Sequence, residues 1–118
     1  MKVTSDMQFE FAQDKNILEL WMIRKGYKFT YGEAWRTDEM QELYFKKGLS
    51  NVKTRGAHGH RLAQDYNIWV NGSLTYAKEL LKPIGDFWKS LNTLNRWGGD
   101  FRVPNGEWDV GHIERRKQ

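Results

Sequence analysis

Residues 56–72 read GAHGHRLAQDYNIWVNG, and the reading of this stretch decides the fold. From Arg61 to Val70 the residue types suit a strand, and Asn71-Gly72 is a strong turn signal that ends it. Period two puts Ala63, Asp65, Asn67 and Trp69 on one face of that strand. Leu62, Gln64, Tyr66, Ile68 and Val70 fall on the other. Asp65 is therefore expected to project from a fixed strand beside a small neighbour, Ala63, with space for a bound ion. The preceding segment, Leu49 to Gly59, carries Ser50, Asn51, Gly56 and Gly59 and reads as a loop.

Working outward, that loop brings His58 close to Asp65 in sequence. A second segment, Asp109-Val110-Gly111-His112-Ile113-Glu114, adds a distant histidine. Two imidazoles and a carboxylate form an N/N/O set of the kind that holds a catalytic zinc with a position open for water. His58, Asp65 and His112 are thus the candidate metal ligands, with Zn²⁺ as the expected cofactor. Asp109, three positions before His112, is the candidate general base, and Glu107 is its rival. His60 shares a strand face with His58 and is expected at the surface or cleft. Glu114 shares a face with His112, and is read as a carboxylate behind the ligands or at the surface. The chain has no cysteine, so thiolate ligands and disulfides are excluded.

The remaining elements follow from caps and periodicity. Ser5 or Asp6 could cap a helix running to about Lys25, with Phe11, Ile17, Leu18, Trp21 and Met22 as its apolar set and Gly26 as its stop. Tyr27, Phe29 and Tyr31 alternate as a short strand. Thr37 suits the N-cap of a helix from Asp38 to Lys47. A helical stretch from Leu74 is expected to break before Pro83 and resume to about Leu91. Trp97–Val103 and Trp108–Arg115 read as strands around an Asn105-Gly106 turn, with His112 and Glu114 opposing Ile113. The order implies an α+β fold, a single small domain spanning 1–118 with a largely antiparallel sheet and helices packed on it.

Composition sets outer bounds. The chain has 118 residues, is 39% hydrophobic and carries six Trp, five Tyr and six Phe, which implies a folded core rather than disorder. The formal charge of +4 suits an anionic partner. Trp21, Trp35 and Trp88 are expected in the core; Trp69, Trp97 and Trp108 lie near the motifs and are expected to wall a cleft. Lys46-Lys47, Lys53, Arg55 and Arg115-Arg116-Lys117 read as solvated charge. No apolar run approaches the roughly 20 residues of a membrane span, so no membrane insertion is expected. The first residues lack the pattern of a secretory signal.

These motifs resemble a family. The pattern Ser-x-His-x-x-Gly-x-Ala-x-Asp, with a distant His preceded three residues earlier by an acid, is matched here by His58, Ala63, Asp65, Asp109 and His112. It belongs to the small zinc peptidases that include D-Ala-D-Ala carboxypeptidases and the L-alanyl-D-glutamate endopeptidases of phage endolysins, with the hedgehog/DD-peptidase fold. Gly-Glu-Ala-Trp-Arg-Thr, ending in Arg36-Thr37, and Trp97-Gly98-Gly99-Asp100-Phe101 look like further segments of the endolysin type. The resemblance spans roughly residues 15–115. Gly56 stands where the pattern has Ser, and Arg61 where it has Gly.

The resemblance implies an α+β zinc peptidase that hydrolyses the L-alanyl-D-glutamate bond of peptidoglycan stem peptides. It implies that Arg36 bears positive charge to an oxyanion or a substrate carboxylate, and that Asp100 shapes the cleft. At 118 residues, no separate wall-binding domain is expected. Alternatives are a D-Ala-D-Ala carboxypeptidase or dipeptidase on the same site, and a non-catalytic wall-binding module. A nucleic-acid partner has no motif to support it. The expected protein is a monomer, made in the host cytoplasm without a signal peptide and acting on peptidoglycan after release.

Overall fold

A computed structural model of the chain describes residues 3–32, 62–101 and 109–116. The first helix, α1 (Ser5–Arg24), begins one residue earlier in its capping than expected: Thr4, not Ser5 or Asp6, is the N-cap, and its hydroxyl accepts from Met7 N–H at 3.2 Å. Its end is as read. Gly26 takes φ +87°, Gly26 N–H donates to Ile23 C=O at 3.1 Å, and Tyr27 N–H donates to Met22 C=O at 3.0 Å. This is a Schellman stop, in which the left-handed glycine lets the chain reverse and satisfy the last carbonyls. Phe11, Leu18 and Met22 of α1 are buried. Ile17, expected in that set, is exposed on the other side of the helix.

Five strands follow from the described residues: β1 (Lys28–Tyr31), β2 (Ala63–Val70), β3 (Ser73–Thr75), β4 (Asn95–Trp97) and β5 (His112–Arg115). All pairings are antiparallel. β2 is the spine. One edge pairs with β1; the other pairs with β5 over Ala63–Asp65 and with β3 over Ile68–Val70. β4 closes the sheet against β5. The faces of β2 are as expected. Leu62, Tyr66 and Ile68 join the apolar core with residues of both helices, and Gln64 between them is buried. On the other face Ala63 is buried, while Asp65, Asn67 and Trp69 are partly exposed. Among the described residues no helix is long and apolar enough to cross a membrane.

Three expectations are corrected. The stretch from Leu74 is not helical at first. Asn71 and Gly72 both take positive φ (51° and 81°), and this turn folds β3 back on β2. The next helix among the described residues, α2, then runs unbroken from Lys78 to Leu91 through Pro83. Proline inside a helix costs about 3 kcal/mol. Leu81, Ile84 and Trp88 lie at helical spacing and are all buried, each contributing roughly 1.5–3 kcal/mol or more, so burial outweighs the break. Second, the strand expected over Trp97–Val103 is instead the short β4 followed by a 3-10 turn, Gly98–Asp100. Third, β5 starts at His112 rather than Trp108, because residues 109–111 form the turn before it. The Asn105-Gly106 turn, and the helix expected over Asp38–Lys47, lie outside the described residues.

Two side chains also depart from expectation. Trp97 is buried, 1% exposed, so it underlies the sheet rather than walling a cleft. Arg115 is 3% exposed and is not solvated charge. Its Nε donates to Asn95 Oδ1 at 2.8 Å, Nη2 pairs with Asp14, and Nη1 lies 3.4 Å from Glu10 Oε1, tying β5 and β4 to α1. Trp88 is in the core as expected, while Trp21 is half-buried and stacked on Phe87. Trp35 and Trp108 lie outside the described residues.

The paired glycines after Trp97 have a specific cause. A Cβ on Gly98 would overlap the Asp109 carbonyl oxygen, and one on Gly99 would enter the Trp97 ring. Gly98→Ala is therefore expected to lower stability by about 1–3 kcal/mol, as overpacking does. Denaturant unfolding with an unchanged midpoint would contradict this close approach.

Candidate metal centre

Asp65 and His112 are directly opposite in the β2–β5 register. Opposed residues of an antiparallel pair carry their Cβ atoms about 4.5–5.5 Å apart on the same face. The two side chains meet there, with His112 Nδ1 lying 2.7 Å from Asp65 Oδ1. The turn before β5 adds Asp109: His112 N–H donates to Asp109 C=O at 3.2 Å, and Asp109 Oδ2 lies 3.7 Å from His112 Nδ1. Potential ligand atoms of Asp65, Asp109 and His112 all fall within 4.8 Å of one another. The imidazole is 6% exposed, while the Asp109 carboxylate is 45% exposed. The site thus has a closed floor and an open side.

Several contacts below the sheet hold this turn. Trp97 Nε1 donates to Val110 C=O at 2.9 Å, and Tyr66 N–H donates to Gly111 C=O at 2.8 Å. A Cβ on Gly111 would overlap the Tyr66 carbonyl oxygen, so glycine lets the turn lie flat on β2. Phe101 packs beside the imidazole, with ring centroids 5.8 Å apart.

Burial alone would lower the His112 pKa. Hydrogen bonds to Asp65 and to Glu114, with the charges of Asp65 and Asp109, override it and raise it to about 10. Without a metal, a proton on each ring nitrogen serves the carboxylates on both sides. A cation at Nδ1 would take the place of that proton, and two carboxylates already face the position. The donor chemistry of nitrogen and oxygen atoms fits Zn²⁺.

The structure brings together three of the residues singled out by sequence, Asp65, Asp109 and His112. His58, expected as the third ligand, and Arg36, His60 and Glu107 lie outside the described residues. Asp109, expected as a base, stands close enough to the other two to serve as a ligand as well. Asp100, expected at the cleft, is exposed and pairs with Lys89 Nζ at 2.8 Å. Glu114 is more than a surface charge: its Oε1 lies 2.7 Å from His112 Nε2. The signal was the period-two spacing from His112.

No protein-family model matches the sequence, and no curated protein matches it. Among solved structures the chain is similar to the L-Ala D-Glu endopeptidase ChiX of Serratia marcescens, with a TM-score of 0.57 and 19% identity. The likeness establishes the fold. It covers 74% of this chain and 65% of the other, so this chain spans less than two thirds of that protein's length.

The titration of His112 has a sign that can be checked. Its folded pKa lies above the unfolded value of about 6.5, so in metal-free protein its contribution is full below that pH. The contribution is lost as pH rises towards about 10. The melting temperature of chelator-treated protein is expected to fall across this window, and to fall less in His112→Gln. Parallel profiles for the two proteins would refute the assignment.

Proposed function

We propose that the chain is a zinc-dependent peptidoglycan peptidase of the endolysin type, cleaving the L-alanyl-D-glutamate bond of stem peptides. The observation that carries this reading is the Asp65–Asp109–His112 cluster, set in a fold similar to that of an L-Ala D-Glu endopeptidase. The sequence resemblance supplies His58 as a further ligand. Zinc held there would acidify water towards a pKa of about 7 and polarise the scissile carbonyl.

The chain's own groups have distinct tasks. His112, buried, and Asp65, partly buried, would hold the cation. Asp109 is half exposed beside them, placed to take the proton of the attacking water and to deliver one to the leaving amine. Water oxygen then bonds to the alanyl carbonyl carbon, the C–N bond breaks, and the amine departs neutral. In this reading Arg36, on the sequence resemblance, brings positive charge to the developing oxyanion or to a substrate carboxylate. A net charge of +4 favours approach to an anionic wall. In this reading the protein is made in the host cytoplasm and meets peptidoglycan after release.

The test is mass spectrometry of peptidoglycan digested with zinc-loaded protein, with an EDTA-treated control. New N-terminal D-glutamate that EDTA abolishes is the expected product. Release of free D-alanine would move the assignment to a carboxypeptidase, and no cleavage by zinc-loaded protein would refute peptidase activity. Asp109→Asn is expected to retain zinc and lose at least about 100-fold in turnover, in the range of general acid–base effects. Full turnover would remove Asp109 from its role.

A further inference from the structure

The second ring nitrogen of His112 is as closely held as the first. Nε2 lies 2.7 Å from Glu114 Oε1. The Glu114 side chain is 14% exposed, and its other oxygen, Oε2, lies 3.4 Å from Arg96 Nη1. The Glu114 backbone is fixed too, since its carbonyl accepts from Trp88 Nε1 at 3.2 Å and it pairs with Ala63 on one side and Arg96 on the other. The Arg96 guanidinium lies 4.5 Å over the Phe101 ring, which packs against the imidazole. A carboxylate thus stands at a set position behind the imidazole.

A neutral imidazole carries one N–H, and the nitrogen without it offers the lone pair. Asp65 and Glu114 each face a ring nitrogen at 2.7 Å. With a cation in place of the proton at Nδ1, the one remaining ring hydrogen is on Nε2, where the Glu114 carboxylate accepts it. The lone pair is then left on Nδ1, which faces Asp65 and Asp109. We propose that Glu114 is a positioning residue that fixes His112 as the Nε2–H tautomer and presents Nδ1 to the metal. This inference rests on the metal-site reading above. Carboxylates behind ligating histidines act in this way in metal sites generally, and their loss weakens binding by about 10–100-fold.

The experiment uses zinc-loaded, ¹⁵N-labelled full chain and records the long-range ¹H–¹⁵N spectrum of His112. The expected result is a hydrogen on Nε2 and a metal shift at Nδ1; the reverse assignment would overturn the proposal. Zinc affinity, measured by competition with a chromophoric chelator, is expected to fall about 10–100-fold in Glu114→Ala. Glu114→Gln keeps an accepting oxygen and should lose less. Arg96→Met, which removes an exposed contact, should lose least. Thermal unfolding checks that each variant is folded; should Glu114→Ala fail to fold, the wild-type spectrum and Glu114→Gln decide. Unchanged affinity in folded Glu114→Ala overturns the positioning role alone. Failure of the wild-type chain to take up zinc overturns both it and the metal reading.

Discussion

The register between β2 and β5 is the constraint on which the site depends. It sets Asp65 opposite His112, and a slip of one residue would turn one of them into the core. The opposite faces are committed to the interior: Gln64 and Tyr66 on β2, and Ile113 on β5, are all buried. Burial of Tyr66 and Ile113 in the apolar core therefore favours a register whose polar consequence is the cluster. Because each β2–β5 position that faces the core is full, the facing pair has no cheap alternative arrangement.

What lies under the sheet sustains that register. Trp88 on α2 and Trp97 on β4 are both buried, and each directs its indole N–H to backbone carbonyls next to the site, Val110 for Trp97 and Arg96 with Glu114 for Trp88. Aromatic bulk and polar handle act together here. Arg115 adds a lateral tie from β5 to α1. A buried guanidinium left without its carboxylate costs several kcal/mol, so Asp14 and Arg115 favour one placement of β5 against α1.

Much of this was legible in the sequence, for identifiable reasons. The alternation along 61–70 and the Asn71-Gly72 turn are local signals, and they gave the face of Asp65 correctly. The Gly26 stop is equally local. β3 is not legible in the sequence because a three-residue strand has too little pattern of its own and exists only as the return arm of a turn. The unbroken α2 is not legible because Pro83 is a local signal overruled by tertiary burial of Leu81, Ile84 and Trp88. Arg115 looked like part of a basic tail, since its carboxylate partners lie about a hundred positions away in α1. For the site, spacing named Asp65, Asp109 and His112. Their meeting depends on pairing between distant strands, which no local pattern encodes, and the precise contact of Glu114 with His112 follows from the same pairing.

The functional account thus has one physical core: two carboxylates and one imidazole converge on a single small volume, with a third carboxylate holding the imidazole from behind. The most direct measurement is an anomalous-difference map at the zinc absorption edge from crystals of the zinc-loaded chain. The account predicts one peak within coordination distance of Asp65 and of Nδ1 of His112. A peak elsewhere, or no peak in crystals grown with excess zinc, would contradict it.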